Sequence, residues 1–136
     1  IFFTVGNTDY LKHGGRIGKV ASVASSALNL KPIITLKDGS IDASGIARSR
    51  KKSIAKTYEL LKNYFAENGE DPNNYVYRVG YGYDREEGLE YKKELDEVMR
   101  GLGLKEETGI AHIGATICVH TGPYAIGVGL IKKIQN

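Results

Sequence analysis

The chain has no tryptophan, one methionine, one cysteine and three prolines in 136 residues. A lone cysteine, Cys118, excludes an internal disulfide and suits a reducing compartment. The longest apolar runs fall far short of the ~20 residues that span a bilayer, so no membrane span is expected. The opening residues do not read as a charged leader with an apolar stretch and a cleavage site, and the expected location is cytoplasmic. Neither sign of charge dominates: 19 basic and 16 acidic residues leave a net +3, too little by itself to imply a nucleic-acid partner. Zinc-type spacing is missing around His112, Cys118 and His120, so no metal or other cofactor is expected.

What the chain does have is an ordinary globular composition, 41% hydrophobic and 26% charged, and enough length for one domain over residues 1–136 with a real core. Nine tyrosines offer apolar bodies with polar tips. Seventeen glycines point to tight turns or close packing. The first residue is Ile1, inside an apolar, β-like run; the expectation is a fragment whose first part is missing.

Ile1–Val5 reads as a strand. Thr8 is placed to cap a short helix from Asp9 to His13, which Gly14-Gly15 ends. A second helix is expected from Ile17 to Leu28, with small residues Ala21, Ser22, Ala24, Ser25, Ser26 and Ala27 for close packing. A hairpin follows: Pro32 to Leu36, the turn Lys37-Asp38-Gly39-Ser40, and Ser40 to about Ile46. A long helix runs from about Ser49 to Glu67, its stripe Ile54, Tyr58, Leu61 and Phe65 facing inward and Lys52, Lys56, Glu59 and Asn63 facing out. Gly69 stops it. Tyr75–Tyr83 alternates as a strand. Asp84 caps the next helix, with Glu87 three residues on in a capping-box pattern and Tyr91, Leu95, Val98 and Leu102 at helical spacing. Thr108–Ile113 and Ala125–Ile131 read as strands. The order predicts an α/β domain, a mixed β-sheet with helices packed on it.

Three segments carry chemistry. In Ile113–Gly129 an apolar run delivers His120, Thr121, Gly122 and Pro123. Imidazole donates a hydrogen bond and, when protonated, adds positive charge, both suited to a carboxylate. Thr121 adds a hydroxyl, and Gly122 lets the backbone approach closely. On the residues alone, a histidine that only ties down a turn is the better reading, because short motifs match by chance. Asp9–Lys19, with Gly14-Gly15-Arg16, is similar to a phosphate-binding glycine loop but matches neither GxxxxGK[ST] nor GxGxxG; a tight turn between helices is the default. Arg48-Ser49-Arg50-Lys51-Lys52 places positive charge at a helix start, against the helix dipole by about 0.3–1 kcal/mol per exposed charge. Without interleaved aromatics it does not suit single-strand stacking.

Taken in order, Tyr-Leu-Lys-x-Gly-Gly-Arg-Ile-Gly-Lys at 10–19, Asn-Leu-Lys-Pro-Ile-Ile-x-Leu-Lys-Asp-Gly at 29–39 with the basic run ending at Lys52, and His-Thr-Gly-Pro at 120–123 resemble the DegV family over nearly the whole chain. The resemblance implies the C-terminal lobe of a two-domain, non-enzymatic protein that binds one long-chain fatty acid, tail in an apolar tunnel and carboxylate near His120, Thr121 and Gly122. Hydroxyl residues of the N-terminal lobe would be the other carboxylate partners. It also implies presentation of the lipid to a fatty acid kinase, with Arg16, Arg48 and Arg50 for docking or for the acyl-phosphate. Two positions depart from the family pattern. Tyr124 stands where glycine is usual after Pro123, and Cys118 and Val119 stand where small residues are usual before the histidine; both add bulk beside the expected head-group site. Competing readings are a phosphate-handling enzyme of dihydroxyacetone-kinase-type fold using Gly14-Gly15-Arg16, by fold-level analogy, and a nucleic-acid-binding module using Arg48–Lys52, whose affinity would fall steeply with salt.

Overall fold

The computed structural model describes residues 1–21 and 29–134. Six strands, β1 (Phe2–Thr4), β2 (Lys31–Lys37), β3 (Ser40–Ala47), β4 (Tyr75–Tyr81), β5 (Gly109–His112) and β6 (Ile126–Lys132), form one sheet in the order β3-β2-β1-β6-β4-β5. β4 and β5 run parallel, joined through a helix, and every other pair is antiparallel. This is the mixed α/β architecture that the alternation of strand and helix patterns predicts. Among the described residues the helices are α1 (Asp9–His13), α2 (Arg50–Asn68), α3 (Arg85–Gly101) and α4 (Ala115–Thr121). Of the helix expected over 17–28, Ile17–Val20 forms a 3-10 turn, and residues 22–28, with most of the Ala/Ser run, lie outside the described residues. α4 is the element that sequence periodicity does not announce, because its seven residues hold only two turns and bury Thr121 alone.

One face of the sheet carries the main core. α2 and α3 lie over it, packing Tyr58, Leu61, Phe65, Tyr91, Leu95 and Met99 against Phe2, Tyr75, Tyr77, Val79, Ile126 and Val128. The α2 stripe is buried as expected, except that Ile54 is only partly so. Full burial of one such side chain contributes about 1.5–3 kcal/mol. Polar pairs seam the two helices together. Thr57 and Tyr91 share a hydroxyl–hydroxyl bond of 2.7 Å, Tyr58 donates to Glu94 at 3.1 Å, and Arg50 grips Glu87 through two bonds of 2.7 Å. A smaller cluster occupies the other face: Val5, Leu11, Val20, Ile34 and Ala125, with Phe3, Ile17, Ile41, Ala43 and Ile113 against it.

The turns follow the backbone chemistry of their residues. Asp38 (φ 50°) and Gly39 (φ 74°) make the hairpin turn, and Gly69 ends α2 at φ 61°. Ser49 caps α2 by accepting the Lys52 N–H. Two caps differ from expectation. Thr8 makes no side-chain cap bond; Asn7 instead accepts the Asp9 N–H at 3.0 Å. Asp84 accepts the Glu87 N–H, but the Glu87 carboxylate is drawn away to Arg50, so the capping box stays half closed. An ion pair across two helices outcompetes the local return bond because a bidentate guanidinium contact is the stronger partner.

Candidate functional site

The register of the sheet gathers the sequence motifs at one end. A row of paired residues runs Ala47–Lys31 at one side and Thr4–Ile126–Tyr81–His112 at the other. β1, β3, β4 and β5 finish there, and β2 and β6 begin there. The loop after β1 carries Gly6 to Gly15, the segment after β3 carries Arg48 to Lys52, β5 leads through Gly114 into α4, and the turn before β6 is Gly122-Pro123-Tyr124.

Two of the motifs interlock. α4 packs against α1, and three contacts around this junction use the missing side chain of a glycine. The His120 ring abuts Gly14, the Tyr10 ring lies on Gly122, and Tyr124 rests on Gly6. Gly122 is required twice over, by φ 78° and by Tyr10, whose Cδ2 would sit 2.6 Å from a Cβ there. The loop is held from outside by Lys31, which donates to the Gly6 carbonyl, and from within by Arg16, whose Nη1 donates to the Gly14 carbonyl at 2.6 Å.

His120 is half-buried, and its Nδ1 is a buried polar atom with no hydrogen-bond partner among the described residues. Thr121 is buried, and its hydroxyl lies 3.3 Å from the carbonyls of Ile117 and Gly122; its remaining capacity is as an acceptor. The Gly122 N–H is used within α4, donating to the Cys118 carbonyl at 2.8 Å. Cys118 is half-buried with its thiol toward the Ile113 carbonyl. Val119 is 59% and Tyr124 51% exposed, so much of the bulk that departs from the family pattern faces outward. Tyr124 meets the 77% exposed Tyr83 edge to face, centroids 6.2 Å apart. The backbone bond from Tyr83 N–H to Pro123 O, 2.6 Å, ties this pair to the motif turn.

The three arginines do not form one patch. Arg48 is exposed beyond β3. Arg50 is three-quarters buried and engaged with Glu87, which offsets the charge that opposes the α2 dipole. Arg16 is exposed on the other side of the glycine loop, where with Gly15, Gly18, Gly39 and Ile41 it lines a cavity of about 340 Å³ beside the β2–β3 hairpin. Another cavity, of about 620 Å³, opens beside the acidic start of α3, from Asp84 to Lys93; His120 lines neither. Among the described residues no cluster of three His, Cys, Asp or Glu side chains suits a metal ion, and no helix is long and apolar enough to cross a membrane. Sequence reasoning marks Tyr10 and Gly14 as part of a glycine-rich motif but joins neither to the His120 segment, and it passes over the contact of Gly6 with Tyr124. The one available signal is the doubled glycine, since a helix stop needs only one.

Residues 1–133 match a family model described as "Uncharacterised protein, DegV family". The chain is 32% identical over 128 residues to a DegV domain-containing protein of Deinococcus radiodurans, a match that covers 94% of this chain and 43% of that protein. Among solved structures it is similar to a stearic-acid-binding protein from Eubacterium ventriosum, with 49% identity, a TM-score of 0.83, and coverage of 97% of this chain and 44% of that one. A fatty-acid-binding DegV family protein from Thermus thermophilus matches with 33% identity and a TM-score of 0.75 over 97% of this chain and 45% of that one. The chain therefore spans less than half the length of these relatives.

Proposed function

As the chain belongs to the DegV family, we propose that it is the C-terminal, lipid-binding lobe of a carrier for a long-chain fatty acid, which it holds without chemical change and presents to a fatty acid kinase. The observation that carries this reading is the placement of His120. An imidazole whose Nδ1 has no hydrogen-bond partner among the described residues stands at the sheet end where the sequence motifs gather, seated against Gly14. His120 is the carboxylate partner, the Thr121 hydroxyl is a second donor once it turns from the Ile117 and Gly122 carbonyls, and Gly122 is the point of close backbone approach. The apolar residues of the second face, Phe3, Val5, Ile17, Ile41 and Ile113, are the described part of the wall for the tail.

The energetics support this division of labour. Each buried methylene contributes about 0.8 kcal/mol, so a tail of a dozen or more dominates affinity. The head group contributes orientation, since a carboxylate buried without partners costs several kcal/mol. Arg48, exposed at the same end as His120, is the leading contact for the kinase. Arg50 follows it in the chain, its charge balanced by Glu87 until a partner competes for it, and Arg16 serves the opposite flank.

The test is direct. Protein expressed in bacteria is extracted with solvent and the extract read by mass spectrometry. The expected result is a fatty acid near one per molecule, and in titration with oleate a loss of roughly 10- to 100-fold in affinity for His120→Ala, the worth of a hydrogen bond to a charged group. Extracts free of fatty acid, together with no measurable oleate binding, would overturn the reading.

A further inference from the structure

Two adjacent glycines end α1 for two different reasons. Gly15 adopts φ 71°, with open space where a Cβ would be; glycine there answers a demand of the backbone. Gly14 adopts φ −79° and ψ 0°, which any residue reaches without strain. What excludes a side chain at Gly14 is His120: a Cβ would fall inside the contact distance of Nδ1, with the ring's Cγ 3.3 Å away and no other ring atom nearer than Cγ. The Tyr10 carbonyl, 3.0 Å from the same point, is a milder constraint.

These distances describe an end-on approach. If the ring lay face-down on Gly14, several of its atoms would be about equally near. Instead Nδ1 alone leads, so the Gly14 α-hydrogen occupies the axis along which an Nδ1–H would project. Nδ1 is also buried and without a hydrogen-bond partner among the described residues. A proton at Nδ1 would meet a C–H head-on and be a buried donor with no acceptor, which is unfavourable. A lone pair there is accommodated, because a backbone α-C–H is a weak donor.

We propose that Gly14 is a positioning residue that fixes His120 as the Nε2–H tautomer, so that the fatty-acid carboxylate is received at Nε2 by a donor already set in place. In a neutral imidazole, whatever occupies one nitrogen decides which nitrogen carries the proton. Here that part is taken by a glycine α-carbon rather than a carboxylate or carbonyl. Gly14 is itself immobilised: Arg16 holds its carbonyl, and its N–H donates to the Tyr10 carbonyl at 2.8 Å. Tyr10 in turn clamps Gly122, so both ends of the short segment bearing His120 are fixed by the same loop. The head-group half of this inference rests on the reading of His120 as the carboxylate partner; the tautomer half does not.

Nitrogen NMR of the histidine ring nitrogens separates the two halves. In the unliganded protein Nδ1 is expected to show the shift of a bare ring nitrogen and Nε2 that of a protonated one; a protonated Nδ1 would overturn the proposal without any variant. Gly14→Ala is expected to displace both ring signals and weaken oleate binding roughly tenfold, about 1.4 kcal/mol. Gly15→Ala is the control. It strains the backbone and lowers the unfolding midpoint, but leaves the ring signals and oleate affinity as they were. Unchanged ring signals and affinity in a folded Gly14→Ala protein would refute the positioning role. Oleate affinity unaffected by His120→Ala would sink the carboxylate reading itself, visible apart from the ring spectra because those need no ligand.

Discussion

Asp96 offers the sharpest test of how α3 is braced against the start of β5, the end of that strand away from the motifs. Its carboxylate, 9% exposed, accepts the Lys92 ammonium at 2.6 Å and the buried Thr108 N–H at 2.8 Å, so it pins α3 to the entrance of β5. Asp96→Ala leaves the Thr108 N–H without an acceptor, a loss of about 1–3 kcal/mol. It also removes the partner of Lys92, which keeps Glu107; with solvent screening that share is about 1 kcal/mol. The expected total is about 2–4 kcal/mol in urea unfolding at pH 7. Asp96→Asn keeps an acceptor for Thr108 and is expected to lose only the charge share, about 1 kcal/mol. The pH dependence has a definite sign. Burial works against ionisation of Asp96, but the Lys92 ammonium and the Thr108 N–H outweigh it, and the carboxyl is held below its ordinary value. The native state therefore binds fewer protons than the unfolded chain in acid, so the contribution is full above the unfolded value of about 3.9 and is lost as pH falls through the native one. The stability gap between wild type and Asp96→Asn should be flat from about pH 5 to 8 and close below about pH 4. A wild-type level of stability in Asp96→Ala, or a gap that persists undiminished at pH 3, would refute the reasoning.

Three further outcomes are expected. Leu61→Ala, at a fully buried position of α2, should lose about 2.7–5 kcal/mol in urea unfolding, and a loss under 1 kcal/mol would mean the α2 stripe is not packed as described. Gly69→Ala meets nothing within 4 Å but must adopt φ 61°, so it should cost about 1–2 kcal/mol from backbone strain alone; an unchanged midpoint in thermal unfolding would count against that turn. Glu87→Gln removes the counter-charge of Arg50 at the start of α2 and should lose about 1 kcal/mol, a loss that a double-mutant cycle with Arg50→Met should show to be shared between the two positions; full additivity would mean the pair is not coupled.

The elements that sequence periodicity located well are those whose burial is one-sided. The stripe of α2, the alternation of Tyr75, Tyr77 and Val79, and the Asp38-Gly39 turn each state a local preference that the fold keeps. α4 is different: Ile117 and Val119 are exposed, so its apolar residues give no helical stripe to read. Glu87 was legible as a capping residue but not as the partner of Arg50, 37 positions away, because no local pattern encodes a contact between the starts of two helices. The same limit applies to the site. His120, Thr121 and Gly122 stood out as residue types, and the glycine loop stood out as a motif. That one seats the other depends on α1 and α4 being brought together by strands at opposite ends of the chain, and only the sheet order supplies that.

The sheet order also carries a consequence for how the chain reaches its native state. β1 lies at the middle of the sheet between β2 and β6, and Phe2 is paired with both Thr35 and Val128. The central seam thus closes across a loop of more than a hundred residues, among the most non-local pairings the chain contains, and such pairings form slowly. On the ribosome, the β1–β2–β3 unit and the β4–α3–β5 unit can assemble early, but β1 and β4 then each present an unpaired edge until β6 emerges between them, and exposed edges are where intermediates associate wrongly. A side chain at Gly127, where a Cβ would fall 2.3 Å from the Phe2 carbonyl oxygen and 2.4 Å from the Phe3 Cβ, would force that seam apart and should lower both the stability of the native state and the yield of folded protein.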